Sequence, residues 1–592
     1  MTNNKNKKTF RVLLRILKYL SKRDLFIMLL VVLVTMLSPF TTFFSAIILQ
    51  KTIDNYIIPL SNNFDAVLYD GFIKSIYIFS SISFLDVIFS LVSTQLMTIV
   101  STNIFSSVRL NLFKKIEKLP IKFFDTKKHG DVMSVYTNDV DGMRMMITNG
   151  IATIVRNTTI TVLNFVLIYY YSWKLSIIVT TALFLCLTII SIITKRSKKM
   201  YRMQRKQTGK LNGYIEEIMD GQKIIKLYNC ETTFSDRFDK IADKLRVIAT
   251  KADSFTFKLS PTLLSVASVS QALIVMAGLF FVIKGYMALG VAVVFFQRAR
   301  GLFFPINEIA HTFNFFISGI ACSERIFEIL DEKEDIDNGK LFLRKSDVKG
   351  IIEFKNVFFR YNKSNTILND ISFTAYPNKK MALVGSTGAG KTTVTSLINR
   401  FYDVSEGSIT FDGININNIQ KASLRENISV VLQDAYFFTG SVRENIRYGR
   451  LDATDEEVKQ AAKMANANYF IKCLPQGYDT ILTNNAENLS QGEKQLLSIA
   501  RAMISNKQVL IMDEATSSVD TRTEKLIEDG LNILMEGKTT FIIAHRLSTI
   551  KNADVIMVLE KGRVIECGNH NELLKNDNGR YCQLYHGMIE LD

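Results

Sequence analysis

The chain has 592 residues, 48% of them hydrophobic and 22% charged, with 72 Lys and Arg against 56 Asp and Glu, a formal net charge of +16. That length exceeds what one hydrophobic core organises, so at least two domains are expected. A positive balance can signal nucleic acid, but the basic residues here sit beside long apolar runs, as in a membrane protein with basic cytoplasmic loops, and no nucleic-acid partner is expected. The six cysteines (Cys186, Cys230, Cys322, Cys473, Cys567, Cys582) are scattered without paired spacing and read as reduced, with no disulfide framework or zinc site.

Residues 1–24 carry Lys5, Lys7, Lys8, Arg11, Arg15, Lys18, Lys22 and Arg23 among Phe10, Leu13, Leu14, Ile16, Leu17 and Leu20. This mixture predicts an amphipathic helix on the inner membrane surface. The apolar run that follows is too long for a signal-peptide core and has no small-residue cleavage site, so it reads as a retained span. A bilayer core takes about 20 apolar residues per helix. Six spans are expected on that measure, about 25–49, 75–100, 147–171, 175–193, 259–283 and 285–320. Trp173-Lys174 is the expected turn between the third and fourth.

Lysine and arginine set the orientation. The N-terminal segment and the stretch from Lys195 to Lys210 are basic and expected inside. The loop at 51–73, whose basic residue is Lys51, and the turn at Lys174 are expected outside, so both termini face the cytoplasm. With no targeting extension, a bacterial inner membrane is the expected location. The stretches 101–146 and 195–256 are charged and helix-forming, so spans two to five should continue as helices beyond the bilayer. Contact points for a soluble domain are expected near 120–130 and 213–221. Asp86, Arg156, Arg298 and Arg300 fall within spans, with Glu308 and His311 further along the sixth. Charges there mark function by default, although helices bordering a water-filled cavity carry them too. Arg298 and Arg300 suit an anionic or zwitterionic ligand.

Residues 1–330 thus read as an all-α membrane domain, 331–349 as a charged linker, and 350–592 as an α/β nucleotide-binding domain. Ile351–Phe354 and Val357–Phe359 alternate as strands. Tyr361 follows, an aromatic ring upstream of the phosphate loop that can stack on adenine. Met381–Val384 is a short buried strand. Gly385-Ser386-Thr387-Gly388-Ala389-Gly390-Lys391-Thr392 then fits G-x-x-x-x-G-K-[ST], and Thr393 continues into a helix. Glycines let successive N–H groups point at phosphates, and the helix N-terminus adds partial positive charge. Lys391 should reach the β- and γ-phosphates and Thr392 should ligand Mg²⁺. Gln433, after the strand Ile428–Leu432, is a further Mg²⁺ ligand candidate. Val509–Met512 is an apolar strand ending in Asp513 and Glu514. Ligands sit at carboxyl ends of strands in open α/β sheets, so Asp513 is placed for Mg²⁺ and Glu514 for the attacking water. Thr539–Ala544 repeats that form and ends in His545, a γ-phosphate partner.

Leu489-Ser490-Gln491-Gly492-Glu493, before a helix through Ala500-Arg501-Ala502, completes a set that resembles the ATP-binding cassette (ABC) transporter family. The resemblance covers essentially the whole chain and implies an exporter-type half-transporter: six spans fused to one cassette, hydrolysing ATP with Mg²⁺. It implies that two cassettes pair head to tail, each ATP lying between one P-loop and the other cassette's signature. Tyr361 then stacks on adenine and Gln433 is the Q-loop residue. Asp513 and Glu514 are the Walker B pair, Ser517–Asp520 the D-loop, His545 the switch histidine, and Ser490, Gln491, Gly492 and Glu493 the signature.

The signature departs from the family's L-S-G-G-Q: Gln491 stands for glycine and Glu493 for glutamine, and 483–488 lacks the usual glutamate-x-glycine spacing. The residues this chain gives to its own P-loop side are intact. That asymmetry is similar to the competent subunit of heterodimeric multidrug exporters, so a heterodimer with a second half-transporter is expected over a homodimer. The expected activity is export of amphipathic drug-like molecules or lipids. The alternatives are exporter-fold import of a metal chelate and an ATP-gated regulatory module, against which Glu514 and His545 argue. The lack of a peptidase-like domain before the spans argues against a leader-processing peptide exporter.

Overall fold

The computed structural model describes residues 12, 14–16, 18, 19, 21–62, 64–362, 366–513, 520–543 and 550–586. They form two compact units. The first comprises Met1–Glu117 and His129–Glu332, the second Lys118–Lys128 and Lys333–Asp592. Most of the amphipathic segment expected over 1–24 lies outside the described residues.

The first unit is helical. Five of its described helices are long and apolar enough to cross a membrane: Lys22–Asn62, Ala66–Glu117, His129–Tyr171, Trp173–Asp220 and Leu264–Ile283. Ala66–Glu117 has 52 residues and Trp173–Asp220 has 48. At a rise of about 1.5 Å per residue both far exceed a hydrocarbon core of about 30 Å. The charged stretches are therefore continuations of the spans as helix. Trp173–Asp220 passes through Gly213 without a break and ends at Gly221.

Two details differ from the sequence reading. The turn between the third and fourth spans is Ser172 rather than Trp173-Lys174. Ser172 has extended backbone and its hydroxyl accepts from the Leu175 N–H, an N-cap that lets one helix stop and the next start at once. The passage expected at 285–320 is two helices, Leu289–Arg300 and Phe303–Asp331, parted at Gly301-Leu302. Pro305 explains the break. A proline clashes with the carbonyl four residues back, here Gly301, and is tolerated in the first turn of a new helix.

The charges expected in spans have different surroundings. Asp86 accepts from the Ser38 hydroxyl at 2.7 Å and the Thr41 hydroxyl at 3.0 Å, both on the first span. Arg156 and Arg300 are exposed in this chain and Glu308 is half-buried. The His311 side chain lies outside the described ones. Farther along, Arg325 forms a two-pronged ion pair with buried Asp139.

The second unit is built on a six-stranded sheet. Its strands are β3 (Lys380–Val384), β6 (Ile428–Val431), β9 (Val509–Asp513), β10 (Thr539–Ile543), β11 (Val555–Glu560) and β12 (Arg563–Gly568), in the order β12-β11-β3-β10-β9-β6. All pairings are parallel except that of β11 with β12. Both faces are buried, as a parallel sheet requires. Met381, Leu383, Val509, Ile511, Phe541 and Ile543 enter one core. Their neighbours Ala382, Val384, Leu510, Met512 and Ile542 enter the other. An antiparallel sheet of β1 (Ile352–Phe359), β2 (Leu368–Ala375), β4 (Glu406–Phe411) and β5 (Ile414–Asn415) covers the first core, in the order β2-β1-β4-β5, and β7 (Gly440–Ser441) pairs with β8 (Ile481–Leu482) apart from it.

The linker is not free chain. Asp337 accepts from the Lys421 N–H at 2.6 Å and the Gly339 N–H at 3.0 Å and pairs with buried Arg400, while Asp335 pairs with Lys421. The short helix Ile121–Thr126, begun at Pro120, belongs to this unit, with the Tyr402 hydroxyl donating to Asp125. It falls within the first of the two contact stretches expected from sequence; Gly213–Gly221 lies in the other unit.

Candidate nucleotide site

Register aligns the strand ends. Ile543 of β10 is paired with both Leu383 of β3 and Asp513 of β9, and Met512 of β9 with Val431 of β6. The segments leaving these strands therefore begin at one edge of the sheet, where α/β folds hold ligands. They carry the P-loop, Glu514, His545 and Gln433. Glu514, Ser517–Val519 and His545 lie outside the described residues. Gln433 is exposed, two residues beyond β6.

The P-loop's backbone needs its glycines. Gly385 has φ +151° and Gly390 φ +104°, and a Cβ on them would come within 2.2 Å of the Leu559 carbonyl and 2.6 Å of the Leu368 side chain. The helix Lys391–Ile398 starts at Gly390 without a side-chain cap, so its first N–H groups have no intrahelical acceptor. Ser386, Thr387 and Gly388 are exposed; Ala389 is buried and its N–H closes the loop onto the Ser386 carbonyl at 3.0 Å.

Lys391 is buried, its ammonium donating to the carbonyls of Gly385 and Ser386. Burial pulls its pKa below the usual lysine value, and the Asp513 carboxylate counters part of that pull. A buried cation beside a helix N-terminus, held by neutral carbonyls, fits a polyphosphate: charge-assisted bonds to phosphate oxygens would replace bonds to neutral ones. The Thr392 side chain is exposed. Thr392 and Asp513 offer the hard oxygen donors that Mg²⁺ takes alongside phosphates and water. Among the described residues no cluster of three His, Cys, Asp or Glu stands as a metal centre.

Tyr361 is tied to this helix. Its hydroxyl lies 3.2 Å from that of Thr393, and its ring meets Phe359 and Tyr402 edge to face at 4.8 and 5.0 Å. Tyr402 was missed in the sequence. Its signal is tertiary: it closes the ring cluster on one side and donates to Asp125 on the other, and burial, with that bond, raises its pKa.

The signature belongs to the other core. Leu489 and the helix Gln491–Ser505 pack with Leu510, Met512 and Ile542, whereas the P-loop helix packs with Leu383 and Ile511. Ser490 is the N-cap, and Glu493 turns back to cap it in return. One Glu493 oxygen accepts from both the N–H and the hydroxyl of Ser490, each at 2.8 Å. Gln491 is exposed and Gly492 buried. Just upstream Asn484, Asn485 and Ala486 have φ of +47°, +57° and +55°, and the Asn485 side chain accepts from the Phe437 N–H at 2.8 Å. Asp520 caps the helix Thr521–Met535 by accepting from the Thr523 N–H, and that bond lowers its pKa.

Comparison with known proteins agrees with this arrangement. Residues 25–306 match the model for the ABC transporter transmembrane region, and residues 368–517 match the ABC transporter model. The chain is 39% identical over 588 residues to the uncharacterized ABC transporter ATP-binding protein YfiC of Bacillus subtilis, covering 99% of this chain and 96% of that one. It is 36% identical over 470 residues to a fatty acid ABC transporter ATP-binding/permease protein of Mycobacterium tuberculosis, covering 79% and 74%. It is 35% identical over 477 residues to an ATP-dependent lipid A-core flippase of Haemophilus influenzae, covering 80% of each.

Proposed function

The chain belongs to the ABC transporter family, as an exporter-type half-transporter whose ATP hydrolysis is coupled to transport, and from that premise we propose that it exports amphipathic compounds, lipids foremost, as one half of a heterodimer. The observation that carries the proposal is the buried Lys391 at a helix N-terminus, at the strand ends where β9 finishes in Asp513, in a chain whose other unit holds, among the described residues, five helices long and apolar enough to cross a membrane. Relatives named as fatty acid and lipid A-core transporters support lipids as the cargo class.

In this reading the N–H groups of Gly388–Thr392 and the Lys391 ammonium hold the β- and γ-phosphates, with Ser386, Thr387 and Thr393 lining the loop. Tyr361 stacks on adenine. Thr392, Asp513 and Gln433 would hold Mg²⁺, which would supply positive charge against the phosphates. Glu514 polarises the attacking water and His545 donates to the γ-phosphate. Ser490, Gln491, Gly492, Glu493 and Asp520 face the nucleotide on the partner's P-loop. ATP closes the two cassettes and turns the membrane cavity outward, and hydrolysis resets it. The chain is a multi-pass membrane protein; we place it in a bacterial cytoplasmic membrane with both termini inside.

The heterodimer follows from Gln491 and Glu493. A side chain at the third signature position crowds the approach of backbone to phosphate, and a carboxylate at the helix start opposes it. The test is ATPase activity and vectorial lipid transport in sealed vesicles, by this chain alone and by the chain co-expressed with a second half-transporter, each against Glu514→Gln. An inert chain, an active pair and loss on Glu514→Gln are expected. Full activity from this chain alone would overturn the heterodimer, and hydrolysis without vectorial transport would overturn export.

A further inference from the structure

Among the described residues, the first unit holds a cation without an anion. Arg298 lies on the helix Leu289–Arg300, three residues before the break at Gly301. Its Nη2 donates to the Thr42 carbonyl on the first span at 2.6 Å, and its Nε is buried with no acceptor. Among the described residues no carboxylate pairs with it. Phe295, Ala299 and Leu302 beside it are buried and apolar.

Asp54 and Asp86, on the first and second long helices, are already engaged. Asp86 takes the Ser38 and Thr41 hydroxyls, and Asp54 takes the Gly290 N–H at 2.7 Å and the Gln50 amide at 2.9 Å. Gly290 is two turns from Arg298, about 12 Å along the helix. A charge within a span is costly and marks a ligand or ion path by default. The guanidinium is a planar fork of five donors matched to carboxylate and phosphate oxygens. One carbonyl satisfies a small part of it.

We propose that Arg298 binds the carboxylate or phosphate headgroup of an anionic amphiphile. This rests on the reading that the chain carries amphipathic compounds, and it names the charge of the cargo.

The test uses the full chain in phosphatidylcholine nanodiscs, with labelled oleate as probe and lysophosphatidate, oleyl alcohol, acetate and inorganic phosphate as competitors. Oleate and lysophosphatidate should compete at least tenfold better than oleyl alcohol, and the free ions should not compete at the same concentration. Arg298→Gln should remove the tenfold preference and leave oleyl alcohol binding unchanged. Arg298→Lys, which keeps charge but not the fork, should leave an intermediate preference. It decides the matter should the Gln form fail to fold. A preference unchanged in either variant overturns the proposal, as does equal competition by oleyl alcohol or by inorganic phosphate. Binding needs no ATP hydrolysis. Oleate bound through Arg298 but not exported into sealed vesicles by the chain co-expressed with a second half-transporter would therefore leave this site standing and overturn the transport reading alone.

Discussion

One oxygen of Glu493 accepts from both the backbone N–H and the hydroxyl of Ser490. The departure from glutamine thus keeps the reciprocal cap of the signature helix and adds a negative charge at its start. Glu493→Ala should remove the returning half of the cap, cost about 1 kcal/mol, and lower the melting temperature by about 2–4 °C. Glu493→Gln should keep the cap and the melting temperature. In the active dimer it should tighten MgATP at the composite site by about two- to fivefold, the size of a 0.5–1 kcal/mol charge–dipole effect. Thermal unfolding and the KM for ATP separate the two.

Lys391 should trade stability against function. Burial lowers its pKa in the folded, nucleotide-free chain. Below that lowered value the ammonium is charged in both states and the cost of burying it is fully present. As pH rises through it toward the unfolded value of about 10.4, the unfolded state binds more protons and stability increases. Lys391→Met should flatten this alkaline rise and leave the nucleotide-free chain no less stable at pH 7, while ATPase activity falls by about 100-fold or more. Chemical denaturation between pH 7 and pH 10 and steady-state ATPase assays test both arms.

The Tyr402 hydroxyl donates to Asp125. A double-mutant cycle of Tyr402→Phe and Asp125→Asn, read by thermal unfolding, should give a coupling of about 0.5–1.5 kcal/mol. Additive effects would show that the bond contributes nothing. Because the Tyr402 ring stays against Tyr361 in the Phe variant, ATP affinity should change far less than in Tyr361→Ala.

Pro305 forces the break between Leu289–Arg300 and Phe303–Asp331. Because Pro305 sits in the first turn of its helix, where its missing N–H has no partner to lose, Pro305→Ala mainly frees the unfolded chain and should lower the melting temperature by a few degrees, read by thermal unfolding. An unchanged or raised melting temperature would show that the proline strains this helix start.

Much of this was legible in the chain because local chemistry dictates it. Gly385 and Gly390 can adopt their positive φ where other residues would be strained, and four apolar residues before them make a strand that only a sheet interior accommodates. Long apolar runs announced the spans. The Ser172 turn was misjudged by one residue because Trp and Lys look like interfacial punctuation, whereas a serine N-cap needs a single extended residue. The interruption at Gly301 was legible from Pro305 and was overlooked because the apolar run continues across it. Tyr402, Asp125 and the Asp337–Arg400–Lys421 linkage carry no local signature. Their partners lie far apart in sequence and meet only on folding.

The alternation of the sheet has a genetic consequence. In β3, β9, β10 and β11, odd-numbered residues such as Leu383, Ile511, Phe541 and Met557 face the core that supports the P-loop helix. Even-numbered residues such as Val384, Leu510, Ile542 and Val558 face the core that supports the signature helix. Suppressors of a cavity-forming lesion in these strands should therefore sort by the parity of the damaged position. Lesions at odd positions should be rescued from the catalytic side of the domain, and those at even positions from the side offered to the partner.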